Sequence, residues 1–373
     1  MDKKMNILFI QPVFYDPTLP NFKDRFELLS DKCCGHVVSI SDGEYDGLRF
    51  GDFNYHQLPY IRNKVKKYTH YFITIMYIGI KAHRQKRLDY VHSCDPVFFG
   101  LSAVFIKFFT KAKLIIEING HFNDPTFLSK DKLRDQIKRA ILSLLIKFSL
   151  KNADTIKLLN DKQKTDWQSL LINKKAVIFH DFVPTHVFNL AKSKDENYVL
   201  FVGHPFYVKG VDVLIKAFLS IVDKFPKMRL KVIGHCHGGE KEREQYINMA
   251  NRSSQIEILK PVFYDETIKI FQNCTFFVLP SRSEAMGRVL IEAMSCGKAV
   301  IGSNVGGIPN IIKDGENGFI FESGNVNDLA MKMELLLSDS ARRKEMGIKS
   351  RTIVEQKFSS LKYAERFTEM ITK

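Results

Sequence analysis

The stretch FVLPSRSEAMGRVLIEAMSCGKAVIGSNVGGIPNIIKDGENGFIF, residues 277–321, alternates short apolar runs with glycine-rich turns. It predicts a buried strand that ends at Pro280, a turn SRSEAMG and a helix RVLIEAMSC that ends at Gly297. Two further strands, KAVIGS and GFIF, follow. Alternation of strands and helices is typical of α/β architecture with parallel sheets. The stretch therefore predicts an α/β fold for the second half of the chain.

The same alternation extends over the whole chain of 373 residues, which is long enough for two domains. We expect an α/β fold of two Rossmann-like domains that face a central cleft, at 1–185 and 198–356, with a linker at 186–197 inside a polar segment. Whether the last helix, about 357–373, packs on the second domain or returns to the first stays open. No GxGxxG motif follows any strand, so a dinucleotide-dependent oxidoreductase has no support.

Composition places the chain among ordinary globular proteins. Hydrophobic residues make up 45% and charged residues 26%, which excludes a disordered, collagen-like or low-complexity chain. The six cysteines form no CxxC pair, so we expect reduced thiols rather than a disulfide framework. The sequence has no run of about 18 apolar residues, so we expect no transmembrane helix.

The charge is unevenly distributed. The net charge is +15, and residues 55–151 alone carry 18 basic against 6 acidic side chains. Such a region attracts an anionic partner, which could be nucleic acid, an anionic membrane or a phosphorylated ligand. Because the sequence has no RRM, helix-turn-helix or zinc-finger signature, a nucleic-acid-binding protein is the weaker alternative, and we expect no nucleic-acid partner.

Two acidic residues and one lysine carry the candidate chemistry of the second half. Glu284 lies in the turn before a helix, and Glu292 follows eight positions later on that helix. An ionised carboxylate accepts two hydrogen bonds from a vicinal diol, so this pair suits sugar hydroxyls. In FVGHPFYVKGVDVLIKAF, 201–218, Lys209 and Gly210 open a helix, which is a natural place for a diphosphate contact. The alternative for Lys209 is a solvated lysine at a helix start.

These stretches resemble the signatures of the group 1, or family 4, retaining glycosyltransferases of GT-B fold. The resemblance rests on the E-x(7)-E spacing together with PSxxE, EAMSCGKxVI, VGGIP and DGxNG in order. It covers about 197–337 closely and the first half only in general layout. The chain departs from the family pattern at His204, usually arginine, at Asn310, usually glutamate, and at Lys260-Pro261, where glycine is usual.

The resemblance implies a nucleotide-sugar donor held mainly by the second domain. Glu284 would bind hydroxyls of the donor sugar, Glu292 the ribose diol, and Lys209 the diphosphate. The backbone at Val262 would frame the base, and apolar residues after the glutamate turn would line the nucleotide pocket. The implied donor-binding residues are Gly203, His204, Lys209, Val262, Glu284, Ala285, Met286, Gly287, Val289, Leu290 and Glu292.

The implied catalytic residues are Glu284, Lys209 and His121. The family often has a histidine near the donor's anomeric carbon after the strand that corresponds to KLIIEI; His121 is the candidate, and Asn119 is the alternative. The family reaction retains anomeric configuration. Since no carboxylate is an obvious covalent nucleophile, our hypothesis is front-side displacement in which the diphosphate assists deprotonation of the acceptor. We expect no cofactor and no metal site, and we interpret the tract 235–237, His-Cys-His, as a loop.

Residues 63–87 are basic, then apolar and aromatic, then basic again, and 104–113 show a similar mixture. This pattern suits an anionic membrane surface and equally a core helix with solvated ends. We therefore expect a cytoplasmic glycosyltransferase, peripheral on the inner face of the cell membrane. It would transfer a hexose-class sugar from a UDP- or GDP-sugar to a lipid-linked glycan in cell-surface polysaccharide biosynthesis, such as capsule or lipopolysaccharide. The alternative is a soluble sugar or sugar-phosphate acceptor.

Overall fold

The structure is a computed structural model that describes residues 3–14, 16–120, 122, 133–190, 195–236 and 239–372. The chain divides into two compact units. The first unit comprises Met1–His180 and Ser360–Lys373, and the second comprises Asp181–Ser359. Each unit is an α/β domain built on its own sheet, as the strand and helix pattern predicts.

The first unit contains an eight-stranded sheet. Its strands are β1 (Met5–Phe14), β2 (Cys33–Ser41), β3 (Arg49–Phe50), β4 (Phe53–Pro59), β5 (Tyr90–Ser93), β6 (Lys113–Ile118), β7 (Thr155–Leu158) and β8 (Lys175–Ile178). Their order across the sheet is β3-β4-β2-β1-β5-β6-β7-β8, and every neighbouring pair is parallel except β3 with β4. The sequence pattern did not predict β3 or β4, and the two-residue strand β3 adds one antiparallel pair at the edge of an otherwise parallel sheet.

In the described part of the first unit, six α-helices lie before His180. They are α1 (Pro20–Leu29), α2 (Lys64–Gln85), α3 (Phe98–Thr110), α4 (Leu133–Asn152), α5 (Asp161–Asp166) and α6 (Gln168–Leu171). The start of α2 is set by Asn63, whose side chain accepts a hydrogen bond from the backbone N–H of Lys66. One apolar core forms where α2, α3 and α4 cover the sheet, and it includes the fully buried Leu8, Ile75 and Ile116.

The second unit contains a six-stranded parallel sheet. Its strands are β9 (Tyr198–Val202), β10 (Arg229–Ile233), β11 (Ile256–Leu259), β12 (Phe276–Leu279), β13 (Val300–Ser303) and β14 (Gly318–Phe321). The order is β11-β10-β9-β12-β13-β14. Strands rich in Val, Ile, Leu and Phe, such as YVLFV and FFVL, suit a sheet that is covered on both faces. The order reverses between β9 and β12, which is where ligands bind in open α/β sheets.

Among the described residues of the second unit, seven α-helices connect or follow these strands. They are α7 (Val211–Ile221), α8 (Gly239–Ala250), α9 (Tyr264–Asn273), α10 (Arg288–Ser295), α11 (Ile308–Ile311), α12 (Val326–Ser338) and α13 (Ser340–Lys357). Asn325 and Asp339 begin α12 and α13, because each side chain accepts a hydrogen bond from the backbone N–H three residues on.

The last helix, α14 (Ser360–Thr372), belongs to the first unit. Its Phe367 ring lies 5.3 Å from the ring of Phe9 on β1, and the hydroxyl of Tyr90 donates to the backbone carbonyl of Ile371 at 2.7 Å. The chain thus crosses between the units twice. Among the described helices, none combines the length and the apolar character that a membrane span requires.

Candidate functional site

Two loops follow the adjacent strands β9 and β12 at the point where the order of the second sheet reverses. The first loop, 203–210, runs from β9 to α7, and the second, 280–287, runs from β12 to α10. Parallel strands present their carboxyl ends at one edge, so the two loops leave the sheet side by side. They contain most of the residues that the sequence predicts for donor binding.

Glycine permits close contact between the two loops at Gly210. This residue has φ of 68°, and a Cβ at this position would overlap the carbonyl oxygen of Pro280. The backbone N–H of Arg282 in turn donates to the carbonyl of Val208 at 2.8 Å. The loops therefore form one packed layer.

Arg282 joins the two loops through its side chain. Its guanidinium forms a bidentate ion pair with Asp212, with Nη1–Oδ1 and Nη2–Oδ2 distances of 2.7 and 2.8 Å. Nη1 also donates to the carbonyl of Tyr207 at 2.7 Å, and the guanidinium lies 4.5 Å from the centre of the Tyr207 ring. Burial alone would raise the pKa of the Asp212 carboxyl, but the hydrogen bonds and the charge of Arg282 together hold it below its usual value. We call Arg282, Asp212 and Tyr207 the loop clamp.

The predicted lysine and the first predicted glutamate meet on this layer. Lys209 Nζ donates to Glu284 Oε2 at 2.6 Å, and the hydroxyl of Ser281 lies 3.4 Å from the same oxygen. The side chains of Lys209 and Glu284 keep 19% and 12% of their surface exposed, so both can contact a ligand. A cation and a carboxylate in contact at a switch point can bind a phosphate and a hydroxyl of one ligand.

The second predicted glutamate lies on α10. Glu292 Oε1 is 3.4 Å from Nε of Arg288, one turn earlier, and its side chain is 12% exposed. Burial raises the pKa of the Glu292 carboxyl, while Arg288 opposes that rise. Gly287 precedes helix α10 as its N-cap, and its φ of 85° is in the left-handed region that favours glycine.

A third loop, which follows β13, supports the glutamate turn. The backbone N–H of Gly307 donates to the carbonyl of Glu284 at 3.2 Å, and a Cβ at Gly307 would crowd the carbonyl of Ala285. The hydroxyl of Ser303 donates to the carbonyl of Ser281 at 2.6 Å. The VGGIP motif thus fixes the backbone on which Glu284 is carried.

The remaining predicted donor residues differ in accessibility. Val289 is half-buried, Met286 is 6% exposed, and Leu290 has no exposed surface and belongs to the core.

The ring of His204 stacks on that of His235 at 4.3 Å between centroids. Val262 lies in the loop between β11 and α9, half-buried. His121 lies outside the described residues, and its alternative Asn119 is half-buried after β6.

The sequence pattern did not predict the loop clamp. Asp212 and Arg282 are separated by 70 positions, and neither belongs to the predicted site. The available signal was the arginine inside PSRSE, two positions before the glutamate, and the aspartate directly after Lys209-Gly210-Val211. Both stand beside residues that the motifs singled out.

Within the described part of the chain, one group of metal-ligating side chains lies close together: His92, Cys94 and Glu117 in the first unit. Lys157 Nζ already donates to Glu117 Oε1 at 2.7 Å, and His92 Nε2 lies 3.4 Å from Oε2. Burial alone would raise the pKa of Glu117, but Lys157 and His92 hold it well below its usual value. We therefore interpret these side chains as a buried ion network rather than a metal site.

The chain is similar in sequence to known glycosyltransferases. The family model for glycosyl transferases group 1 matches residues 182–353. An uncharacterized glycosyltransferase of Methanocaldococcus jannaschii is 28% identical over 84% of this chain and 82% of its own length. The capsular polysaccharide biosynthesis glycosyltransferase CapM of Staphylococcus aureus is 34% identical, over 45% of this chain and 44% of its own.

A solved structure of Anabaena HepE in complex with UDP shares the fold. Its TM-score is 0.76 at 16% identity, with 99% of this chain and 100% of that chain covered. The two parallel-sheet units are those of the GT-B fold. The motifs around Glu284 and Glu292 lie within the matched residues 182–353, so the chain is similar to the group 1 glycosyl transferases in its second half and to a named glycosyltransferase over most of its length.

Proposed function

We propose that the chain transfers a hexose-class sugar, with retention of anomeric configuration, from a UDP- or GDP-sugar to a lipid-linked glycan in cell-surface polysaccharide biosynthesis. The contact of Lys209 with Glu284 on loops at the sheet's switch point is the single observation that supports the donor assignment most strongly. The fold relative HepE, solved in complex with UDP, is consistent with a nucleotide donor.

In this proposal the cation and the carboxylates bind different parts of the donor. Lys209 binds the diphosphate, Glu284 and the backbone of Ala285–Gly287 bind the sugar, and Glu292 binds the ribose diol. The leaving diphosphate gains negative charge as the glycosidic bond breaks, so the ammonium group and the N-terminus of α10 favour the transition state. We propose that this charge stabilisation needs no metal ion and that the diphosphate accepts the acceptor's proton on the face of attack.

The proposed lipid-linked acceptor is supported by an exposed apolar stripe on α4. Leu133, Ile137, Ile141, Leu144 and Phe148 recur at intervals of three or four residues and are 38–72% exposed. They lie in the segment 55–151, whose net charge is +12. Helix α4 packs against α3, on which three phenylalanines are exposed. A basic surface with apolar side chains matches an anionic bilayer. We therefore propose peripheral binding to the inner face of the cell membrane.

The donor proposal is tested with a panel of UDP-glucose, UDP-N-acetylglucosamine and GDP-mannose. We expect one of them to raise the melting temperature of the wild type and to be hydrolysed slowly without acceptor. Glu284→Ala should abolish both effects, whereas Glu316→Ala, an exposed glutamate in the loop before β14, should change neither. Binding of the whole panel by Glu284→Ala as by the wild type would contradict the assignment. NMR of the product anomer decides between retention and inversion.

The acceptor proposal is tested by co-sedimentation with vesicles of phosphatidylglycerol and phosphatidylcholine. We expect the wild type to bind and the Ile137→Gln/Leu144→Gln variant to bind at least about tenfold less, because two exposed apolar anchors are lost. The control is Leu361→Gln, which changes a residue that is 58% exposed on α14. Absence of vesicle binding, with activity on a water-soluble acceptor, would favour the soluble-acceptor alternative.

A further inference from the structure

Helix α10 has one accessible face. Its half-buried residues are Arg288, Val289 and Glu292, whereas the other five residues of the helix are buried. Residues three and four positions apart are neighbours on a helix surface, so these three side chains lie on the same side. Glu292 binds the ribose diol in the proposed function, and the family resemblance places Val289 beside the nucleotide. Arg288 shares this face and belongs to none of the predicted donor contacts.

The stability of the helix does not account for an arginine at this position. Arg288 is the first residue of α10, where the positive end of the helix dipole makes a cation unfavourable. An i,i+4 ion pair is also weaker when the cation precedes the anion along the chain. The side chain nevertheless lies against Glu292, with Nε 3.4 Å from Oε1, and only 23% of it is exposed. We therefore look to Glu292 for the role of this arginine.

Glu292 needs a cation because its carboxyl is enclosed. Its side chain is 12% exposed, and burial raises the pKa of the carboxyl. Arg288 opposes this rise because its positive charge favours the ionised form. An ionised carboxylate can accept one hydrogen bond on each oxygen, as a vicinal diol requires. A protonated carboxyl carries a hydrogen on one oxygen and loses this two-point contact.

The neighbouring strands and helix α9 bring no second cation to Glu292. Elements β12, β13, α9 and α13 pack against α10. The strands FFVL and VIGS carry no charged side chain. The charged residues of α9 are all exposed; they are Asp265, Glu266 and Lys269.

Helix α13 presents Arg351 at the other end of α10. The Arg351 guanidinium donates to the carbonyl of the last residue of α10 at 2.7 Å and pairs with Glu355 on its own helix at 2.6 Å, so its charge is already compensated. The thiol of Cys296, one turn after Glu292, stays neutral because burial raises its pKa. Among the described residues, Arg288 is therefore the cation that offsets the burial of Glu292.

We propose that Arg288 is a positioning residue for the ribose of the donor: its ion pair keeps the Glu292 carboxylate ionised and oriented, so that both oxygens accept the hydroxyls of the diol. The inference rests on the proposed function, in which Glu292 binds the ribose. Without Arg288 the burial of Glu292 is unopposed, so the carboxyl takes up a proton at a higher pH than in the wild type. Replacement of Arg288 should therefore weaken donor binding most in mildly acidic solution.

The test measures, by calorimetry at pH about 6 and about 8.5, the affinity of the full-length protein for UDP and GDP. With the nucleotide that the wild type binds more tightly, we expect Arg288→Gln to bind at least about tenfold more weakly than the wild type at the lower pH, and within about threefold at the higher pH. Arg288→Lys keeps the charge and should restore most of the affinity at the lower pH. The control Arg252→Gln changes an exposed arginine after α8 and should bind as the wild type does at both pH values.

Glu292→Gln is the reference for a carboxyl that cannot ionise. Because Arg288 acts through Glu292, the double variant Arg288→Gln/Glu292→Gln should bind no more weakly than Glu292→Gln alone. Thermal unfolding at both pH values establishes that each variant is folded. The comparison of one folded variant at two pH values then separates the loss of an ionised carboxylate from a general loss of structure.

The outcomes distinguish this inference from the proposed function. If the wild type binds neither UDP nor GDP, the donor assignment is overturned and this inference with it. If the wild type binds but folded Arg288→Gln loses the same factor at both pH values, or loses nothing at the lower pH, only the positioning role is overturned. A double variant that binds more weakly than Glu292→Gln also overturns it, because Arg288 would then act on the donor independently of Glu292.

Discussion

Replacement of Lys209 by methionine tests the donor site most directly, since it removes the charge and keeps the length of the side chain. Lys209 Nζ and Glu284 Oε2 are 2.6 Å apart, and their side chains are 19% and 12% exposed. At such a partly exposed site an effective dielectric constant of about 20 applies, and a unit charge about 4 Å from a phosphate charge contributes roughly 4 kcal/mol. Partial screening by water reduces this value. We therefore expect Lys209→Met to lose about 3 kcal/mol of transition-state stabilisation.

A loss of this size corresponds to a decrease of roughly a hundredfold in kcat/KM. The assay follows release of the nucleoside diphosphate from whichever donor of the panel raises the melting temperature of the wild type most. Lys216→Met is the matched control, because Lys216 is an exposed lysine on α7. We expect it to retain wild-type kcat/KM.

Stability has to be measured on the same proteins. Lys209→Met leaves Glu284 with the hydroxyl of Ser281 at 3.4 Å, so we expect the free energy of unfolding to fall by no more than about 1–2 kcal/mol. The reasoning is refuted if folded Lys209→Met loses less than threefold in kcat/KM. It is refuted as well if Lys216→Met loses as much, because a general change in surface charge would then explain both results.

Three further results are expected. Arg282→Gln should raise KM for the donor at least about tenfold with a smaller change in kcat, because Asp212 loses its bidentate partner and the loop clamp opens; unchanged KM would contradict this role. Glu117→Gln should lower the free energy of unfolding by about 3–5 kcal/mol at pH 7, because Lys157 stays buried without its counter-charge. The folded-state pKa of Glu117 lies below its unfolded value, so this contribution to stability is present above pH about 4.5 and is lost progressively as pH falls below it. Urea unfolding should therefore show that the difference in unfolding free energy between the two proteins becomes smaller from pH 7 to pH 3. EDTA should leave transfer unchanged, and activity that requires added Mg²⁺ would overturn the metal-independent mechanism.

The sequence predicts the second unit well because its signals are local. Apolar runs such as FFVL and YVLFV mark buried strands, and Gly210 and Gly287 mark the helix starts after them. The edge of the first sheet was missed for a physical reason. Strand β4 reads FNYHQLP, and its polar residues alternate with buried ones, which is typical of a half-exposed strand rather than of a continuous apolar run.

Buried charges are harder to predict than strands. Glu117 and Lys157 are the polar interruptions of KLIIEI and TIKL, and each alone suggests a solvent-facing position. The register of β6 and β7 places them directly opposite each other, where each ion compensates the other in the interior. Strand pairing decides this outcome, and the sequence of one strand contains no information about its neighbour.

At the donor site, too, the motifs identify the residues but do not show that these residues lie close together. Lys209 and Glu284 are separated by 75 positions, and three strands, β10, β11 and β12, lie between them in sequence. If the strands were arranged in chain order, β10 and β11 would lie between β9 and β12. The two loops would then be about 10 Å farther apart than loops on neighbouring strands. Because β12 returns to pair with β9 on the side opposite β10, the two loops become neighbours. The ion pair of Lys209 with Glu284 is therefore a consequence of the reversal in strand order, and a change that weakens the pairing of β9 with β12 should impair donor binding without touching either residue.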